Sequence, residues 1–350
     1  MKNILFVSLN AYPVLDTDAK GTDVVFGGAE VQAALLARTL RSMKHQVSCV
    51  VTKSAYMQKK SINGVTVIPI SGTVQLVREV IRSKASHVAF RSRGKKQWLL
   101  ALTCWVSRKK FVYMFSHDDL LVRSNFSFFA WIMHYRSIQS AALVVTQNTY
   151  QTTEYQNIWT KKNVLALANS IKVTPYNNTS KENDVLWVGR SDQWKRPELV
   201  IDLATKLSDV SFTIVLTRGN DQAYHKRIEK QCRALKNVSL HSFVPLSEIQ
   251  KIYNTHKVYL NTSVAEGYPN SFLQSAVGSC CIVSLSADPN DMLSISKAGV
   301  LVSQEDMDLE VKKILDNENL RQEYCIRAHK YVSCHNNISM NSKLFAEALV

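Results

Sequence analysis

The sequence contains no apolar run long enough to cross a bilayer. The longest, Trp98–Val106, is interrupted by Thr103, whereas a spanning helix needs about 20 apolar residues. No secretory leader is expected either. After Met1-Lys2-Asn3 the apolar stretch Ile4–Leu9 is short, and no small-residue cleavage site precedes Asp16, so a buried first strand fits better. The seven cysteines are odd in number and irregularly spaced. They give neither a disulfide framework nor the spacing of a zinc site. The adjacent Cys280-Cys281 lie in an apolar run and read as core thiols, which favours a reducing, cytosolic compartment. No Asp-x-Asp stands at a strand end. Asp16-Thr17-Asp18 lies in the long first loop, so no metal and no cofactor are expected.

Acidic residues are scarce in one half only. Residues 1–165 hold 22 Lys+Arg against 8 Asp+Glu, a net +14, while residues 166–350 hold 21 against 20, a net +1. The excess is densest from Arg78 through Arg91, Arg93, Lys95 and Lys96 to Lys110. Such a field draws anionic partners: lipid headgroups, phosphorylated substrates or nucleic acid. The plainer reading is a solvated basic face. Nucleic-acid recognition motifs are missing, and the basic run lacks interleaved aromatics of the stacking kind, so no nucleic-acid partner is expected.

What is present is globular: 350 residues, 46% hydrophobic and 20% charged, enough for two domains of about 100–200 residues each. Short apolar runs read as strands at Ile4–Leu9, Gln46–Thr52, Val65–Pro69, His87–Phe90, Phe111–Phe115 and Leu143–Thr146. Helical patterns lie between them at Ala29–Met43, Leu76–Ile81 and Phe126–Ser140. The alternation restarts at Val185–Val188 and continues through Ser211–Leu216, Val238–Leu240, Val258–Leu260, Cys280–Val283 and Gly299–Val302. This is the signature of two doubly wound parallel sheets, an α/β fold of two Rossmann-like domains facing each other across a cleft. The polar stretch Thr174–Asp184 reads as the linker, or the linker lies slightly before it. Residues 323–350 read as two helical pieces broken near His335–Ser339.

Ligands of such sheets bind beyond the carboxyl ends of the strands, often on helix N-termini. Three segments fall there. Phe26-Gly27-Gly28-Ala29-Glu30 opens the first helix, and its glycines either let backbone amides approach an oxyanion or simply make a turn. In Trp187-Val188-Gly189-Arg190-Ser191-Asp192-Gln193-Trp194-Lys195-Arg196-Pro197, two cations follow a strand end. They either clamp a diphosphate or form an exposed basic loop. The third, Asn261 to Gln274, turns through Gly267 and Pro269. Asn270 is the expected N-cap, which leaves the amides of Ser271–Leu273 free, and Glu266 is its one carboxylate.

Together these segments resemble the family 4 retaining glycosyltransferases of the GT-B fold, in the family's order over nearly the whole chain. Phe243-Val244-Pro245, Val258–Asn261 and Ser284–Leu293 leading to Gly299–Val302 extend the resemblance through the carboxyl half. It implies an acceptor-binding domain at 1–168, a nucleotide-sugar domain at 169–330, and a terminal helix at 331–350 returning to the first domain. It also implies roles. Arg190 and Lys195 neutralise the donor diphosphate. Glu266 is the first acid of an E-x7-E motif and lies against the donor sugar. His117, after the strand Phe111–Phe115, contacts that sugar. Gly27-Gly28 supplies a backbone donor near the phosphates, and Val244, Asn270, Ser271, Phe272 and Leu273 border the donor. The second acid of the motif is replaced by Gln274, whose carbonyl can still bond ribose hydroxyls, more weakly than a carboxylate. Asn169-Ser170-Ile171 stands in place of the family's Asn-Gly-Val.

The implied activity is retaining transfer from a nucleotide-diphosphate-sugar to a lipid-linked or cell-surface glycan, in polysaccharide or lipopolysaccharide biosynthesis. The basic half would face an anionic acceptor or the inner face of the cell membrane, with Trp98 and Trp105 dipping into the headgroups. Two alternatives stand beside it: a GT-B protein that binds donor without turnover, for which Gln274 is the hint, and a GT-B sugar-nucleotide epimerase.

Overall fold

The structure is a computed structural model that describes residues 1–16, 27–54, 57, 60–92, 94–160, 163–177 and 180–349. Thr17-Asp18, Phe26, Arg93 and the Asn178-Thr179 part of the expected linker lie outside the described residues. The chain divides into two compact units, residues 1–170 with 338–350 and residues 171–337.

Unit 1 holds β1 (Asn3–Val7), β2 (Gln46–Thr52), β3 (Ser61–Ile62), β4 (Val65–Ile70), β5 (His87–Phe90), β6 (Lys110–Met114), β7 (Leu143–Thr146) and β8 (Val164–Ala166). Their order is β3-β4-β2-β1-β5-β6-β7-β8. All neighbours run parallel except the β3–β4 pair. The chain winds outward from β1 through β2 to β4, then returns to lay β5 against β1. The order therefore reverses between β1 and β5, the place where such sheets open a crevice for ligands. Near-continuous burial of Val88, Phe90, Val112, Tyr113, Val144 and Val145 explains the parallel form, since both faces of the sheet are covered. The last helix, Ile338–Ala348, packs on helix Gly28–Ser42, and Phe345 stacks on Phe6 with ring centres 6.4 Å apart.

Unit 2 holds β9 (Asn183–Arg190), β10 (Phe212–Thr217), β11 (Val238–His241), β12 (His256–Asn261), β13 (Cys281–Ser284) and β14 (Val300–Leu301). The order β11-β10-β9-β12-β13-β14 is parallel throughout. Here the winding reverses between β9 and β12. The two ends of the unit lie side by side: Ile171 N–H donates to the Asn336 carbonyl at 2.8 Å, and Ile171 bridges to Asn337.

The expected boundaries shift. The first falls after Ser170, not 168, and the chain rejoins unit 1 at Ile338, not at 331. Helix Glu318–His335 belongs wholly to unit 2, where Cys325, Ala328 and Val332 are buried against β13 and helix Asn270–Val277. The described residues of the stretch read as linker, 174–177 and 180–184, are part of unit 2, the last two of them in β9.

Candidate functional site

Each reversal point carries a cluster of polar side chains, and in unit 2 the cluster is built from the two loops that flank the reversal. β9 ends in Gly189-Arg190. A Cβ at Gly189 would meet the Trp187 ring at 2.7 Å, so glycine is what lets the strand pass its own tryptophan. The following loop is tied down by the one after β12. Trp187 Nε1 donates to Thr262 Oγ1 (2.9 Å), and that hydroxyl donates to the Lys195 carbonyl (2.6 Å). Val264 N–H donates to the Trp194 carbonyl at 2.9 Å. Arg196 adopts a left-handed φ of 48°, held there by its Nε bond to the Thr262 carbonyl (2.7 Å). Pro197 then opens helix Pro197–Lys206, as its fixed φ suits a first helical residue.

This scaffold brings Lys195 against Glu266. Lys195 Nζ forms an ion pair with Glu266 Oε1, and the same oxygen accepts from Ser263 Oγ at 2.8 Å. The lysine side chain is 19% exposed and the glutamate 8%. Lys195 Nζ also lies 4.2 Å from the centre of the Trp194 ring, a cation–π contact. Arg190 is turned elsewhere: its Nε (2.7 Å) and Nη2 both donate to Asp192 Oδ2. One edge of the guanidinium is thus spent on a carboxylate, and among the described residues the Nη1 edge is left for another acceptor.

The loop with Glu266 feeds helix Asn270–Val277, whose N-cap is Pro269. That corrects the expectation for Asn270, which is the first helical residue and not the cap. Proline stands there because a residue before the helix needs no N–H of its own. Phe272 N–H donates to the Pro269 carbonyl (3.2 Å), and Phe272 and Leu273 are buried as core. Ser271 stands at the second position, at the positive end of the helix dipole. Gln274 is half-buried on the next turn. Its backbone carbonyl accepts from Gln250 Nε2 at 3.0 Å. Val244 is half-buried in the loop after β11, at the far edge of the strand order, and forms no bond with the Lys195–Glu266 pair.

In unit 1, Gly27 is the N-cap of helix Gly28–Ser42, and its N–H donates to Glu30 Oε2 at 2.8 Å. A Cβ on Gly27 would sit 3.1 Å from that oxygen. Gly28 is exposed at the first helical position. His117 is exposed and caps the short 3-10 turn Asp118–Leu121 beyond β6. Next to it, Asp118 Oδ1 accepts from Gln151 Nε2 (2.7 Å) and Asn148 Nδ2 (3.2 Å), which joins the loops after β6 and β7.

Sequence reasoning missed Arg91, the residue directly after β5 at the unit 1 reversal point. Its Nη2 donates to Asn169 Oδ1 (2.6 Å), and its buried Nε has no partner among the described residues. Burial pulls this guanidinium down to about 10, and the nearby Glu30 carboxylate works against that. Asp192 and Ser263 were missed as well. A charged residue one position past a strand end, and a polar residue at i+2 or i−3 of a site residue, were the signals available.

Residues 171–331 match the family model of the glycosyl transferases group 1. Over 209 residues the chain is 26% identical to the O-antigen biosynthesis glycosyltransferase WbnH of Escherichia coli, a stretch covering 58% of this chain and 59% of that protein. The chain thus spans about three fifths of that relative's length. Among solved structures, sucrose-phosphate synthase from Thermosynechococcus elongatus superposes with a TM-score of 0.78 at 12% identity, covering 99% of this chain and 98% of that one. A glycosyltransferase from Rickettsia africae gives a TM-score of 0.75 at 13% identity, with 99% and 97% covered. At such identities the likeness is one of fold, and the fold is GT-B.

Proposed function

We propose that the chain, whose residues 171–331 match the model of the glycosyl transferases group 1, is a retaining glycosyltransferase of family 4. It moves a sugar from a nucleotide-diphosphate-sugar to a lipid-linked or cell-surface glycan. The observation that carries the reading is the Lys195–Glu266 pair at the β9/β12 reversal, beside Arg190 and the first turn of helix Asn270–Val277. The name of the Escherichia coli relative supports a place in O-antigen or lipopolysaccharide synthesis.

Cleaving a sugar–diphosphate bond puts negative charge on the β-phosphate and positive charge on the anomeric carbon. Lys195, the free edge of Arg190 and the Ser271 amide are preorganised for the first. Donors aimed in advance at developing charge often supply more of the rate acceleration than any other device. Glu266 serves the second by charge: it orients the sugar and offsets the developing cation without attacking it. Without donor, Lys195 neutralises Glu266. With donor it is shared between carboxylate and phosphate, so a buried charge is never left alone. The leaving phosphate oxygen takes the acceptor proton on the same face, which retains the configuration. Gln274 bonds the ribose, and Gly28 and His117 are the contributions expected of unit 1.

The reaction needs no metal and no cofactor. The protein sits on the cytoplasmic face of the cell membrane, drawn there by the +14 of residues 1–165. The test is a panel of nucleotide-diphosphate-sugars, each assayed for donor hydrolysis and for transfer to lipid-extracted acceptors. Turnover with one donor, lowered by Glu266→Gln, is expected. Tight donor binding without turnover would leave a donor-binding protein, the reading that Gln274 invites.

A further inference from the structure

Lys195 is held from two directions, and only one of its holders is charged. Glu266 Oε1 is the first, an oxygen that also accepts from Ser263 Oγ at 2.8 Å. The second is the ring of Trp194, whose centre lies 4.2 Å from Lys195 Nζ. An ammonium is drawn to the negative face of an indole, more strongly as water is excluded. Here the lysine side chain is 19% exposed.

The contact does not follow from the two residues being neighbours. They lie in the 3-10 turn Gln193–Lys195. With three residues to a turn, successive side chains of such a helix point about 120° apart. What brings ring and ammonium together is a backbone pinned on either side. Lys195 N–H donates to the Asp192 carbonyl (2.9 Å), the Trp194 carbonyl accepts from Val264 N–H (2.9 Å), and the Lys195 carbonyl accepts from Thr262 Oγ1 (2.6 Å). Thr262 and Val264 belong to the loop after β12 that also carries Glu266, so ring, ammonium and carboxylate are set by the same pair of loops. Trp194 is 37% exposed, and packing of the core does not account for so large a side chain there.

A lysine places its charge at the end of a flexible four-carbon stem. A phosphate that approaches Lys195 competes with Glu266 for the N–H donors. The ring does not compete: it attracts the ammonium through its face and brings no charge that would repel a phosphate. It can therefore hold the stem still while the N–H bonds change partners.

We infer that Trp194 is a positioning residue, whose ring keeps Lys195 Nζ beside Glu266 both before and after a diphosphate takes its share of the ammonium. The inference rests on the reading of Lys195 as a diphosphate ligand, and it supplies the preorganisation which that reading asks of a flexible side chain.

The experiment is a double-mutant cycle on the full chain, with Trp194→Leu and Lys195→Met made singly and together. The readout is kcat/KM for hydrolysis of UDP-glucose, UDP-galactose, UDP-N-acetylglucosamine and GDP-mannose, with circular dichroism as the check on folding and calorimetric binding of UDP and GDP beside it. Trp194→Leu should lower kcat/KM by about twofold to thirtyfold while Lys195 is present, the range of such contacts. In the Lys195→Met background it should cost less than about twofold, because no ammonium is left to hold. Trp194→Phe keeps a weaker ring face and should fall between wild type and Trp194→Leu. If Trp194→Leu costs the same in both backgrounds, the ring acts on the loop or on the sugar by itself, and the inference is overturned while Lys195 keeps its role. Full activity of Trp194→Leu, or a Trp194→Phe variant as poor as the leucine one, overturns it as well. A wild-type chain that binds neither UDP nor GDP and hydrolyses none of the four donors overturns the diphosphate reading and the inference together.

Discussion

The two sheets share a winding plan and reverse their order at equivalent places, yet the two reversal points are charged in opposite styles. At β9/β12 two cations already face carboxylates: Lys195 pairs with Glu266 and Arg190 with Asp192. At β1/β5 the cation is Arg91, bonded to the neutral Asn169 and, among the described residues, short of a partner at its buried Nε. The first arrangement can accept two negative charges and rearrange without stranding any of its own. The second is fixed by burial and serves the frame of unit 1. A charged residue at a strand end is therefore not enough to mark chemistry; what separates the two is whether the charge has an exchangeable partner.

The strongest way to break this contrast is to remove the exchangeable cations. Lys195→Ala and Arg190→Ala should each lower kcat by about tenfold or more with the fold intact, as loss of one preorganised donor typically costs ~2.7–4 kcal/mol in the barrier. Steady-state transfer kinetics alongside circular dichroism decide it, and a fully active double variant would sink the diphosphate assignment. Next in size is Glu266→Gln, which removes the charge that the proposed site sets beside the anomeric centre and should cost far more than Gln274→Glu. Equal, large losses at both positions would refute the division of roles. The contrast sharpens at Arg91. Arg91→Met removes a charged donor from the Asn169 side chain and should lower unfolding stability by roughly 1.5–3 kcal/mol. A denaturant titration measures this, and unchanged stability with a raised acceptor KM would move Arg91 into the binding site. Smaller again, Gln274→Glu should lower the donor KM about threefold or less, because a carboxylate binds ribose hydroxyls only somewhat better than an amide does. The smallest expected effect is that of excess EDTA, which should leave the rate unchanged. Complete loss restored by magnesium would overturn metal independence.

Much of the fold was legible because its periods are local. Gln46–Thr52, His87–Phe90 and Leu143–Thr146 are strands to the residue. Other elements were hidden by their composition or their length. Helix Thr149–Ile158 is polar and rich in threonine, so no apolar period shows, although Asn148 caps it by accepting from Gln151 N–H. β8 (Val164–Ala166) is too short to stand out, and the two-residue β3 more so. The site was legible as three segments but not as bonds. That Asp192 takes one edge of Arg190 could be suspected from spacing; that Pro269 and not Asn270 caps its helix could not, because Asn270 is by itself the better capping residue.

By itself the sequence determined the two series of alternating strands and helices, the uneven charge and the order of the three loops. All of these are properties of neighbours along the chain. Only the tertiary structure decided that Lys195 meets Glu266 across 71 positions, since two loops become adjacent only when β12 is laid against β9. It also decided which side of helix Phe128–Ser140 is covered. Apolar residues lie on more than one side of that helix, so the pattern along the chain does not choose a face. The bonds of Gln97 to His134 and Ser137, with Trp131, Tyr135 and Ile138 packed on the core, make the choice, because burial depends on what the neighbouring element covers.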